Sequence, residues 1–206
     1  MQVANRPDHP LEDAACKEAT GKTIAQWFAE LDAFGALDKG RRESVNHLYS
    51  SIPGTDVWWP TTLAVEYERH KGITKKDGLP EGYTICCTKT IAAPVEKTYA
   101  AWTDPKGFAS FFCASGKQDA KEGGELSCGC GCKGAFSRVR PNKDLRMTWE
   151  HPGASAPMTL DVQFQDNKGK TLMNVMTSRI QTRAEADGLR NAWTDALSRL
   201  KALVEG

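Results

Sequence analysis

The sequence predicts an α+β protein in which a curled antiparallel sheet grips a long C-terminal helix, preceded by a small three-helix all-α domain. Three observations predict it. Up to about residue 71 the apolar residues recur at spacings of three and four. From Tyr83 the period shortens to two, and short alternating runs follow one another between turn residues. From Thr182 to Val204 the helical spacing returns through Leu189, Trp193, Ala196, Leu197, Leu200 and Val204. Successive strands closed by one amphipathic helix call for antiparallel pairing with the helix across one face of the sheet.

Residues 1–19 are polar and carry Pro7 and Pro10, which reads as a flexible N-terminal arm. The small helical domain covers 20–71. Thr23 is placed to cap its first helix, which carries Ile24, Trp27, Phe28, Leu31 and Phe34 and stops at Gly35. A second helix over 39–51 turns Val45, Leu48 and Tyr49 inward. After the turn "IPGTD" a third covers 56–70 with Trp58, Trp59, Leu63, Val65 and Tyr67, and Pro60 fits its first turn. The segment 72–82 is rich in glycine and lysine and reads as a linker.

The second domain is 83–206. "YTICCTKTI" is a strand ended by Ala93-Pro94, and "VEKTYAAWTD" and "PKGFASFFCAS" are short helical pieces, with Asp104 as a cap or turn residue. Strands follow in "GELSCGCG", "KGAFSRVR", "DLRMTWEH", "PMTLDVQFQD" and "KTLMNVMTSRI". Cys86 and Cys87 fall on opposite faces of their strand, so they read as two independent thiols.

Bulk properties exclude several functions. The formal charge is +1 with both signs mixed along the chain, which gives no footprint for nucleic acid. No apolar run is long enough to span a membrane, and the N-terminus has no apolar core of a signal peptide. Seven cysteines, an odd number without regular spacing, read as reduced thiols in the cytoplasm. "TGKT" at Thr20 lacks the first glycine of a phosphate loop, since Cys16 stands there. Gly129, Gly131 and Gly134 spell G-x-G-x-x-G, but a strand pattern follows where a dinucleotide site needs a helix. No hydrolase or metalloprotease signature is present in the sequence, and Glu150-His151 reads as a solvated strand end.

The stretch "TKTIAAPVEKTYAAWTDPKGFASFF", with "GGEL", "LRMTWEHPG" and "GLRNAWTDALSRLKALV", resembles the START-like helix-grip superfamily. The likeness is to its branch of heat-shock-protein-90 ATPase activator homologues, over roughly 82–205. "TGKTIAQWFAELDAFGA" and "WWPTTLAVEYERHKG" resemble a small helical domain often fused ahead of it. The resemblance implies an apolar cavity between sheet and helix whose ligands differ between members. It is also what suggests a protein partner.

The expected function is non-catalytic binding of a small hydrophobic molecule in that cavity. A protein–protein module of the chaperone-activator kind is the second reading, and a cyclase- or hydratase-like enzyme the third. The expected lining is Trp102, Phe111, Phe112, Leu126, Cys128, Cys130, Met147, Trp149, Leu160, Val162, Phe164, Met173, Val175, Trp193 and Leu197. No catalytic residue is singled out and no cofactor is expected. "SCGCGCKG" holds Cys128, Cys130 and Cys132 at alternate positions, which a strand would present on one face. Pocket lining or packing is the first reading of these thiols. A zinc or copper(I) site, joined by Cys113 or Cys87, is the second, and redox sensing the third.

Overall fold

A computed structural model describes residues 1–52, 54 and 56–206, so the expected turn at "IPGTD" lies partly outside the described residues. The chain divides into two compact units, Pro7–Tyr83 and Met1–Arg6 with Thr84–Gly206.

The first unit is helical: α1 (Asp13–Thr20), α2 (Ile24–Phe34), α3 (Ala36–Lys39), α4 (Arg41–Ser51) and α5 (Trp58–His70). Three of these answer to the expected helices. Of the other two, α1 corrects the sequence reading, since it stands where a flexible arm is expected, and α3 falls between the stop at Gly35 and the expected second helix. Thr23 starts α2 with a reciprocal capping box, its Oγ1 accepting from Gln26 N while the Gln26 side chain accepts from Thr23 N. Trp27, Leu31, Leu48, Trp58, Trp59 and Leu63 fill the core, whereas Tyr49, expected to face inward, is exposed. Thr20 ends one helix and Thr23 caps the next, so "TGKT" joins two helices with no strand before it.

The second unit contains β1 (Tyr83–Ile91), α6 (Val95–Thr103), α7 (Pro105–Phe111), β2 (Lys117–Gln118), β3 (Glu125–Ser127), β4 (Lys133–Arg140), β5 (Asp144–Glu150), β6 (Met158–Asn167), β7 (Lys170–Ile180) and α8 (Arg183–Glu205). The seven-stranded sheet runs β1-β7-β6-β5-β4-β3-β2. Its pairs from β2 through β7 are antiparallel. Alternation sets the register: Met147 lies opposite Leu160, Val162 opposite Val175 and Phe164 opposite Met173, all on one buried face. The other face carries ion pairs, with Arg138 and Arg140 on Asp144 and Arg146 on Asp161. Thr182 and Glu185 form the capping box of α8, whose apolar side is buried at Leu189, Trp193, Ala196, Leu197, Leu200 and Val204. Asp104 caps α7 by accepting from Gly107 N at 2.8 Å.

"GELSCGCG" departs from its expected strand. β3 stops at Ser127, and Cys128–Cys132 is a tight turn into β4, closed by Cys128 N to Cys132 O at 2.8 Å and Gly131 N to Cys128 O at 2.9 Å. Gly131 has φ +88°, a left-handed conformation that bends the chain back where alternation alone reads as extended. The cysteines therefore converge instead of forming a row along one strand face.

Candidate functional site

Sheet and helix meet in an aromatic layer. Trp102 lies nearly parallel to Trp193 with centroids 5.9 Å apart. Trp149 and Phe112 approach Trp193 at 5.5 and 5.4 Å, and Phe111 lies 5.1 Å from Trp102. These are favourable ring separations. Leu126, Met147, Leu160, Val162, Phe164, Met173, Val175 and Leu197 are buried as well. Thus the residues expected to line a cavity pack against one another, with Cys128 buried and Cys130 half-buried at the edge; of them only Phe111 and Phe112 also border the groove beside this layer. Within this layer the indole N–H groups of Trp102, Trp149 and Trp193 are buried without an acceptor.

Beside the layer is a groove of about 730 Å³. Phe111, Phe112, Cys113 and Ala109 form one side, Ala192, Asp195 and Arg199 of α8 another, and Met1–Ala4 a third. Arg199 Nε donates to Phe111 O at 2.9 Å, which ties α8 to the end of α7. The expected arm is corrected here: Met1 is buried, its amino group donating to Phe112 O at 2.6 Å, and Asn5 Nδ2 donates to Gly153 O at 2.6 Å. A Cβ on Gly188 would lie 2.9 Å from the carbonyl carbon of Ala4, so glycine is what lets the segment lie against α8.

His151 corrects the solvated-end reading. It is buried, with Nε2 3.2 Å from Met1 O and Nδ1 accepting from Gly153 N at 2.9 Å, a pattern that fits the neutral ring with its proton on Nε2. Burial lowers its pKa, and the positive Met1 amino group adds to that effect, against the pull of the Met1 carbonyl. Glu150, its neighbour, is exposed and pairs with Lys133 at 3.1 Å. Sequence reasoning missed the burial of this histidine because the segment that covers it, at Met1, stands at the far end of the chain.

The cysteine turn sits at the same rim. Pairing of β2 with β3, Lys117 opposite Ser127, brings the loop after α7 alongside it. The Sγ atoms of Cys113, Cys128 and Cys130 lie within 4.8 Å of one another, and Cys130 Sγ is 3.3 Å from Cys132 Sγ. Cys87 is elsewhere, on β1, its thiol 3.7 Å from Arg190 O and pushed up to about 11 by burial. Burial also acts to raise the Cys113 pKa, but the Ser115 and Cys130 N–H groups, the Cys130 thiol and the Met1 amino group outweigh it and bring it to about 7. The Cys132 thiol bonds to Cys128, which lowers Cys128 and raises Cys132.

The antiparallel sheet with α8 across its inner face defines a helix-grip protein. Residues 92–205 match the sequence profile of the family described as activator of Hsp90 ATPase homolog 1-like protein, over half of the chain. The chain belongs to that family. CalU16 from Micromonospora echinospora superimposes in its solution structure with a TM-score of 0.56 at 22% identity, covering 62% of this chain and 68% of that one. An HSP90 activator from Plasmodium falciparum gives 0.52 at 21% identity, covering 59% and 96%. A protein from Chromobacterium violaceum gives 0.51 at 21%, covering 60% and 97%. These likenesses concern the fold alone. Among curated proteins no sequence match is found. No helix among the described residues is long and apolar enough to cross a membrane.

Proposed function

We propose that the grip unit is a non-catalytic binder of a small, mainly apolar molecule, seated in the groove between Met1–Ala4, α7 and α8. The observation that carries this reading is the groove itself. Its volume of about 730 Å³ suits a small organic ligand; Val3, Ala109 and Ala192 line it beside Asp195 and Arg199, with the buried Phe111 and Phe112 behind. Affinity comes from apolar area leaving water, at about 25 cal/mol per Å² before ordering costs. The unpaired indole N–H groups of Trp102, Trp149 and Trp193 stand next to those two phenylalanines. A ligand with one acceptor oxygen that displaces the Phe112 ring would satisfy one of them, and an unmet buried donor costs about 1–3 kcal/mol. The inner layer behind the groove is aromatic and aliphatic, which favours binding over the cyclase- or hydratase-like reading.

Native mass spectrometry of freshly purified protein, before and after unfolding, tests the reading. A small-molecule adduct lost on unfolding, and abolished by Ala109→Trp, which fills the groove, is the expected result. An adduct that survives Ala109→Trp places the ligand elsewhere. No adduct, together with no uptake of an apolar fluorescent probe, sinks ligand binding and favours the protein-partner reading suggested by the family.

A further inference from the structure

We propose that Cys113, Cys128, Cys130 and Cys132 form a four-thiolate site for a single zinc ion. This inference is independent of any ligand in the groove.

In an extended strand at about 3.3 Å per residue, Cys128 and Cys132 would stand roughly 13 Å apart, too far to share one ion. The turn joins their backbones by a hydrogen bond of 2.8 Å and leaves Cys130 at its tip. Cys113 comes from a separate loop, as the remaining ligand of a structural zinc site commonly does. A tetrahedral site with Zn–S of about 2.3 Å needs sulfurs about 3.8 Å apart. Here the sulfurs of Cys113, Cys128 and Cys130 lie within 4.8 Å of one another and the Cys132 sulfur is 3.3 Å from that of Cys130, so three sulfurs already converge and Cys132 would turn toward them to complete the site.

The surroundings fit thiolates better than apolar filling. Cys113 and Cys130 are only half-buried, and a small apolar side chain gains little there. Gly129 N donates to Ser115 Oγ at 3.1 Å, which pins the turn to the loop that carries Cys113. On binding, the four thiol protons pass to solvent and no redox change takes place. Four convergent sulfurs favour tetrahedral zinc over copper(I).

The test uses the full chain, reduced and stripped of metal with a chelator, then equilibrated with zinc sulfate or cobalt(II) chloride. The expected result is one zinc per chain, with the half-buried Cys113 and Cys130 thiols protected from a thiol reagent when zinc is bound. Cobalt(II) should give the sulfur-to-metal charge-transfer absorption of a tetrahedral thiolate site. Cys113→Ser and Cys130→Ser should each weaken zinc binding by more than about a hundredfold, beyond what loss of a supporting group costs. Cys86→Ser, an exposed thiol on β1, should leave it unchanged. Circular dichroism checks each variant's fold, and the cobalt spectrum of the unmutated chain needs no variant. The proposal is overturned by zinc binding that survives Cys113→Ser with Cys130→Ser, by uptake of copper(I) but not zinc, or by the loss of two thiols to a disulfide without metal.

Discussion

Behind the sheet, Trp102, Trp149 and Trp193 are held by area: large rings from α6, β5 and α8 meet at 5.5 to 5.9 Å, buried and packed on one another. At the rim, individual hydrogen bonds do the holding: within the turn for Cys128–Cys132, and between segments far apart in the chain for Met1 and His151. Packing by area tolerates exchange of one apolar residue for another of similar volume. The rim depends on particular atoms, and so it is where chemistry beyond packing can reside.

The largest expected effect breaks the interior. Trp193→Ala removes the ring that meets Trp102, Phe112 and Trp149, and should cost about 3–5 kcal/mol in urea unfolding. A loss below about 1 kcal/mol would mean that the layer is loosely filled.

Gly131→Val acts on the rim alone. Its φ of +88° is unfavourable for a branched residue, and a Cβ there would sit 2.8 Å from Pro152 Cγ. About 1–2 kcal/mol should be lost from the left-handed conformation, with more from the contact. An unchanged unfolding midpoint would show that the turn is not held as described.

The smallest effect sharpens the comparison through pH. In the unfolded chain His151 has the ordinary value of 6.5, while burial holds the folded ring below it. As pH falls below 6.5, the unfolded state takes a proton that the folded state does not. The stability present above that value is therefore lost as pH drops toward and through the folded pKa. Urea midpoints measured across this range should decline more steeply for the natural chain than for His151→Gln. Equal slopes would remove His151 from the account.

Much of this was legible in the sequence. Period two placed Met147, Val162, Phe164 and Val175 on one face, and period three-to-four placed Leu189, Trp193 and Leu197 on the gripping side of α8, because burial acts on every residue of an element at once. Thr23 was readable as a cap, since a cap acts within a few residues. The reading failed where one position reverses the pattern. Gly131 turns an alternating stretch into a hairpin, and α1 forms in a polar segment with little apolar periodicity of its own.

By itself, then, the sequence determined the architecture of the grip unit, its apolar inner face and the presence of three closely spaced thiols. Only the tertiary structure decided that Cys113 joins them, that Met1–Ala4 walls a groove beside α8, and that His151 is buried. The reason is range: periodicity and capping are local and repeat along the chain, whereas these contacts depend on strand pairing and loop closure between segments that carry no mark of each other.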